Sequence, residues 1–444
     1  MSNSTFNRRN FLKGAGMTAL VGAAPAITIA DDDDGQGLFQ SDTYDFDTVY
    51  SRVGTNTARW DGPPKRYPGG EFKYGMGVAT TDFEVAPCIT DALAERSKHR
   101  TWGYMSGMDS LVEAIVNWNG ERNGLELDPK GIQITGALLP GMIAALNAVS
   151  PKGTKVVHLS PDYSGFYGIT NFTRTAIDDS ELVYRNGRYE IDWDDLEARL
   201  ADPETYSMIV CNPHNPVGNV WTEEEMLHIG RLCLENDVVV LSDEIHSDFV
   251  RSGHEYIPFS RLPDKDVIEN SISFNSLSKT FNLAGMKNAY FHSPNRKLFK
   301  RVQRNHYPTI NTLGCVAHEA AYRDGADWLD QLLVYLDDNH RFVEKYVAEN
   351  MPSIVCNRAE GTFLSWLDCS KVMDAVGATE NAAEMEVTPE VWFRDWLVKN
   401  SGAYLNAGSV YGKGSPGYMR FNLGSSRKVI KAALGAMAQA VNAV

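Results

Sequence analysis

Five nearly continuous apolar runs, at 131–135, 155–160, 207–211, 238–242 and 272–275, alternate with amphipathic stretches through the middle of the chain. A run without polar–apolar alternation suits a strand covered on both faces, since a strand with one wet face would alternate. The stretches between, among them 110–123, 139–149 and 223–235, carry apolar residues at helical spacing. The last opens on Thr222-Glu223-Glu224-Glu225, a capping box. Strand–helix alternation of this kind predicts a mostly parallel sheet wrapped by helices, an α/β fold.

From about residue 330 helical patterns dominate, broken by strand-like runs at 361–367 and 419–423. That reads as a second, smaller α+β domain, and 444 residues suit two substantial domains. The turn-rich stretch before residue 90, with Gly62-Pro63-Pro64 and Pro68-Gly69-Gly70, looks like an extended arm that completes it. The expected division is a leader at 1–30, an arm at 31–90, a large domain at 91–330 and a small one at 331–444.

The leader is a separate object. Arg8-Arg9-Asn10-Phe11-Leu12-Lys13 precedes a small-residue apolar run ending at Ala30, the order found in an export signal. The apolar run is shorter than the roughly 20 residues of a spanning helix, so no membrane anchor is expected after cleavage. The paired arginines resemble the twin-arginine signal, which addresses folded proteins for export, here to a bacterial periplasm. A formal charge of −15 lacks the basic footprint that nucleic acid requires. The six cysteines include no CxxC pair and several sit inside apolar runs, so buried free thiols are expected rather than disulfides or a metal site.

Three loops directly after apolar runs carry the chemistry, at the strand ends where open α/β sheets bind ligands. In Ser276-Leu277-Ser278-Lys279-Thr280, a lysine between serines could bind a phosphate, hold a Schiff base or stand in solvent. In Ser242-Asp243-Glu244-Ile245-His246, a carboxylate at a buried strand end needs a cation or proton donor, or else caps a helix. Asn212-Pro213-His214-Asn215-Pro216-Val217-Gly218 fixes an irregular loop that aims an amide at the sheet edge, or is a turn without further role.

Taken together and in this order, the three segments resemble the fold type I pyridoxal-phosphate (PLP) enzymes of the class I/II aminotransferase branch. Such enzymes have a large domain built on a seven-stranded-type sheet and a smaller C-terminal domain. Ser-Lys-Thr-Phe-Asn-Leu-Ala-Gly, Glu360-Gly361-Thr362-Phe363 and Gly417-Tyr418-Met419-Arg420-Phe421-Asn422 are similar to the cystathionine β-lyase-like, carbon–sulfur lyase subgroup. The likeness runs from about residue 44 to the C-terminus. It implies Lys279 as the Schiff-base lysine and proton carrier, and Asp243 as partner of the ring nitrogen. Asn215 and His246 would lie at the ring's oxygen edge, and Tyr163 would stack on the ring. Ala137, Leu138, Ser276, Ser278 and Lys287 would cup the phosphate. Tyr104 would reach the phosphate of a second subunit, implying a homodimer, and Arg420 would clamp the carboxylate of an amino acid substrate. Two departures stand out: Ala137 where the subgroup has glycine, and Thr80 in Ala79-Thr80-Thr81-Asp82-Phe83 where it has an acid.

The resemblance implies β-elimination of a thiol from a cysteine-type amino acid, giving pyruvate and ammonia. Transamination with a 2-oxo acid uses the same residues and stays open, as does racemisation. A non-catalytic regulatory or binding role is disfavoured by the intact set of Lys279, Asp243, Asn215 and Arg420.

Overall fold

The computed structural model describes residues 44–444, so the export signal expected at 1–30 lies outside the described residues. Seven strands form the larger sheet: β1 (Ile132–Thr135), β2 (Lys155–Ser160), β3 (Ala176–Glu181), β4 (Thr205–Cys211), β5 (Val239–Asp243), β6 (Ser271–Asn275) and β7 (Ala289–His292). Their order is β1-β7-β6-β5-β4-β2-β3. Neighbours from β6 to β3 pair in parallel, while β7 runs antiparallel to both β1 and β6. The five apolar runs became β1, β2, β4, β5 and β6, β2 with unchanged ends and the others with ends moved by at most two residues.

Continuous apolar runs arise because both faces of this sheet are covered. Val157, Leu159, Met208, Val210 and Val240 enter one core with Met226 and Ile229. Their immediate neighbours Val156, Ile209 and Leu241 enter another, on the opposite face, with Met142, Leu146 and Phe166. Helices α1 (Asp109–Asn123), α2 (Leu138–Val149), α3 (Ser164–Thr173) and α4 (Glu223–Glu235) follow the expected pattern. At the start of α4, Thr222 Oγ1 accepts the Glu225 N–H and Glu225 Oε2 accepts the Thr222 N–H, at 3.2 and 2.8 Å. Glutamate at that third position therefore closes the first turn reciprocally. The four-residue helix α5 (Leu277–Thr280) follows β6, and the long α6 (Ala326–Asn350) leads to the second sheet.

That sheet is antiparallel: β8 (Val355–Asn357), β9 (Leu364–Asp368), β10 (Asn406–Ala407) and β11 (Tyr418–Asn422), in the order β8-β9-β11-β10. The arm packs into the same core. Phe46 and Phe83 join Trp328, Phe363, Phe421 and Leu434 in one cluster, and Phe46 meets Phe83 and Trp328 edge-on at 5.5 and 5.8 Å. Tyr74–Gly75 adds a parallel pairing with Ala403–Tyr404. Among the described residues no helix is long and apolar enough to cross a membrane. All six cysteines are free, four of them buried.

One polar joint fixes the arm. Arg59, 1% exposed, donates to the carbonyls of Gly75, Thr80 and Gly424 and meets Asp82 Oδ2 at 3.2 Å. Asp82 also accepts Trp60 Nε1–H and the Ser425 hydroxyl, both at 2.9 Å. Asp82→Ala leaves a buried guanidinium without its counter-charge, which costs about 3–5 kcal/mol. Urea denaturation is expected to show that loss as a lower midpoint at unchanged slope, and a loss below about 1 kcal/mol would contradict the joint's importance.

Candidate active site

A cavity of about 740 Å³ opens at the C-terminal ends of β4, β5 and β6. Lys279, Asp243, Asn215, Tyr163, His246, Ala137, Leu138, Ser276, Ser278 and Lys287 all line it. Three loops distant in sequence therefore converge because parallel strands end on one edge.

Each position has a local cause. Ser276 caps α5: its Oγ accepts the Ser278 N–H at 3.1 Å and donates to the Asn288 carbonyl at 2.8 Å. This short turn places Lys279, whose Nζ donates to the Ala79 carbonyl at 2.7 Å. Burial and the nearby Arg420 charge lower the Lys279 ammonium to about 8, so it gives up its proton far more readily than an ordinary lysine although it is still mainly cationic at neutral pH. Asp243 ends β5 and is 2% exposed; its Oδ1 accepts the Ile245 N–H at 3.0 Å. Burial raises its carboxyl to about 7, so the site lacks a full counter-charge for it. His246 is held well below its ordinary range by burial, then by Lys279 and Arg420, and is a neutral imidazole.

Arg420 lies in β11, 3% exposed, and reaches the cavity wall through Asn215, whose Oδ1 accepts from Nη1 at 3.0 Å. Its Nη2 donates to the Gly77 carbonyl at 2.9 Å, and its Nε has no hydrogen-bond partner among the described residues. The guanidinium also stands over the Tyr411 ring, 5.1 Å from the centroid. A buried guanidinium with a free N–H edge is prepared for a carboxylate.

The other end of the cavity suits an anion. Helix α2 begins at Ala137 without a side-chain cap and without an acid in its first turn. Its leading N–H groups and dipole therefore face the cavity unmatched. Ala137 has φ −169°, an extended backbone that any residue adopts, so alanine in place of glycine causes no strain. Gly136 is the constrained neighbour: a Cβ there would lie 2.6 Å from the Thr309 carbonyl. Lys287, at φ 54°, is held in the left-handed region beside this cup.

Two other positions singled out in the sequence lie outside this cavity. Tyr104 is fully exposed and lines a separate surface depression with Arg96 and Thr312. Thr80 points its hydroxyl at Arg52 Nη1, 3.2 Å away, and its carbonyl at Asn422. Sequence reasoning missed the Gly77 and Ala79 carbonyls and the Thr309–Asn311 wall, because backbone acceptors and a wall brought from a distant loop leave no motif.

These residues fit PLP: an amine for the aldehyde, a buried carboxylate for the ring nitrogen, a phenol beside the ring and uncapped N–H groups for the phosphate. The model of the family Aminotransferase class I and II matches residues 73–437. Cystathionine beta-lyase PatB of Bacillus subtilis (strain 168) is 34% identical over 385 residues, 86% of this chain and 95% of the relative. Cystalysin from Treponema denticola, solved with a pyridoxal 5'-phosphate cofactor, superposes with TM-score 0.82 at 27% identity, over 90% of this chain and 99% of that one. The PLP-bound C–S lyase from Staphylococcus hominis gives TM-score 0.80 at 29% identity, with coverages of 90% and 99%. The chain belongs to the class I and II aminotransferase family, with the fold type I architecture and PLP dependence of its neighbours.

Proposed function

We propose that this protein is a PLP-dependent carbon–sulfur β-lyase that cleaves a cysteine-type amino acid such as cystathionine to a thiol, pyruvate and ammonia. The observation that carries the reading is one cavity holding Lys279 and Asp243, beside Asn215 and its partner Arg420. The choice of lyase over aminotransferase is supported by the 34% identity to a cystathionine β-lyase and by the C–S lyase structure.

The residues divide the work by chemistry. Arg420 takes the substrate α-carboxylate on its free Nε edge, which fixes Cα relative to the lysine. The Lys279 amine, whose ammonium is lowered to about 8, accepts the proton from Cα once it is free. With PLP bound, Asp243 would serve as the anion for the ring nitrogen, and Asn215, which accepts from Arg420, would hold the ring's oxygen. PLP, when bound, supplies the electron sink for charge left at Cα. Ala137, Leu138, Ser276, Ser278 and Lys287 would hold the phosphate.

Two wider features belong to the same reading. Trp102 and Tyr104 are 53% and 107% exposed, which supports a second copy covering this segment and Tyr104 completing the partner's phosphate cup. The twin-arginine-like leader supports export to a periplasm after folding, so that the cofactor would be acquired in the cytosol.

Pyruvate release from L-cystathionine without added 2-oxo acid is the expected activity. Lys279→Ala should lower it at least ~10³-fold by removing the proton carrier. Arg420→Lys, which loses the fork geometry, should lower kcat/KM about 10- to 100-fold. Turnover only when a 2-oxo acid is supplied would replace the lyase with an aminotransferase. Replacing both Arg8 and Arg9 by lysine should leave the protein in the cytosol, and unchanged fractionation would overturn the export reading.

A further inference from the structure

The most unusual polar group outside the cavity lies behind Asp243. His158 in β2, Asp162 just after it and His214 in the loop after β4 are each 0% exposed. Asp162 Oδ1 accepts the Tyr163 N–H at 2.7 Å, while Oδ2 has no hydrogen-bond partner among the described residues. Among the described residues its only ion-pair neighbours are imidazoles: His158 Nδ1 at 3.7 Å from Oδ2 and His214 Nε2 at 3.9 Å from Oδ1. No lysine or arginine comes within ion-pair distance.

The proton inventory of this cluster is constrained. His214 Nε2 lies 2.9 Å from the Pro161 carbonyl, an acceptor only, so this nitrogen carries hydrogen and makes no demand on Asp162. Among the described residues neither nitrogen of His158 has a hydrogen-bond partner, and its ring is packed against Phe166 and Tyr167 at 5.6 and 5.8 Å. An anionic Asp162 would be a buried charge without a cation, in the field of a second carboxylate at Asp243, an arrangement that costs several kcal/mol. An imidazolium at the same depth is penalised for the same reason.

The other titratable groups around Asp162 point the same way. Burial holds its carboxyl well above the ordinary value, with Asp243 and Asp179 adding to the rise and the Tyr163 N–H opposing it. His158 is driven down to about 3 by burial and then by His214, and His214 to about 4 by burial. The Cys211 thiol is pushed up by burial, Asp243 and Asp162, and the Tyr167 hydroxyl is tied to Asp179 at 2.9 Å. None of these supplies a positive charge.

We propose that Asp162 is a protonated carboxylic acid in the folded protein, its Oδ2 facing His158 Nδ1 3.7 Å away, and that it serves as a positioning residue for Tyr163. It anchors the Tyr163 N–H at the start of α3, and so the ring that faces the cavity, without placing a second negative charge beside Asp243. One anionic carboxylate then remains for one cationic ring nitrogen; this last consequence rests on the function proposed above.

The test uses cofactor-loaded protein and two variants. In infrared difference spectra, wild type minus Asp162→Asn should show the carbonyl stretch of a protonated carboxylic acid, constant between about pH 6 and pH 9. Asp162→Ala, which loses the anchor, should lower kcat/KM about 10- to 100-fold. The isosteric and uncharged Asp162→Asn, which can still accept from the Tyr163 N–H, should recover most of that loss with an unshifted pH–rate profile. No acid band lost in Asp162→Asn, or a profile displaced by about one unit as removal of a real charge would cause, overturns the proposal. The acid band and the visible cofactor band are read on the same sample. Absence of the cofactor band alone counts against the reading of the cavity, and absence of the acid band alone counts against Asp162.

Discussion

Two cations share one buried wall, and the arm is what makes that tolerable. The Gly77 carbonyl holds Arg420 and the Ala79 carbonyl, two residues on, holds Lys279. Arg420 in turn lowers the Lys279 ammonium, so the repulsion between them works toward a lysine that can accept a proton. Had either cation stood free, its desolvation would have weighed against folding. The arm can do this only because it is locked to the C-terminal part of the chain, through Arg59, Asp82 and Ser425 and through the aromatic cluster around Phe46.

From that constraint the division of labour between the two sheets follows. The parallel sheet delivers Asn215, Asp243 and Lys279 at the ends of adjacent strands, each fixed by backbone that has both faces buried. The antiparallel sheet delivers Arg420 from β11, next to β10, with Tyr411 against the guanidinium. In the function proposed above, substrate recognition and proton transfer thus come from different layers. The Asn215–Arg420 hydrogen bond is where the layers meet.

How far the sequence speaks depends on what a residue's role consists of. Strands buried on both faces announce themselves as apolar runs, and side chains at their ends stand in contiguous motifs, so Lys279, Asp243 and Asn215 are legible. The edge strand β3 is not: it contains Asp178 and Asp179 and is half exposed, so no apolar run marks it. Strand β7 is four residues long and ends on His292, too short to separate from the loop before it. β8 and β10 are three and two residues long and exist by pairing alone. The Gly77 and Ala79 carbonyls are invisible for a deeper reason, since every residue has a carbonyl and only tertiary packing selects these. Thr80 shows a middle case. Its difference from the subgroup is plain in the sequence, but its partner Arg52 is 28 residues away and only the fold brings them together.

The central claim is that Lys279 is the amine that holds the cofactor. Loading the protein with PLP, reducing it with borohydride and mapping the modified peptide tests this directly, since reduction fixes the cofactor to whichever lysine bears it. The account requires the label on Lys279 and its absence from Lys287, which lines the same cavity. A label on Lys287 or on a surface lysine, with Lys279 unmodified, would contradict it.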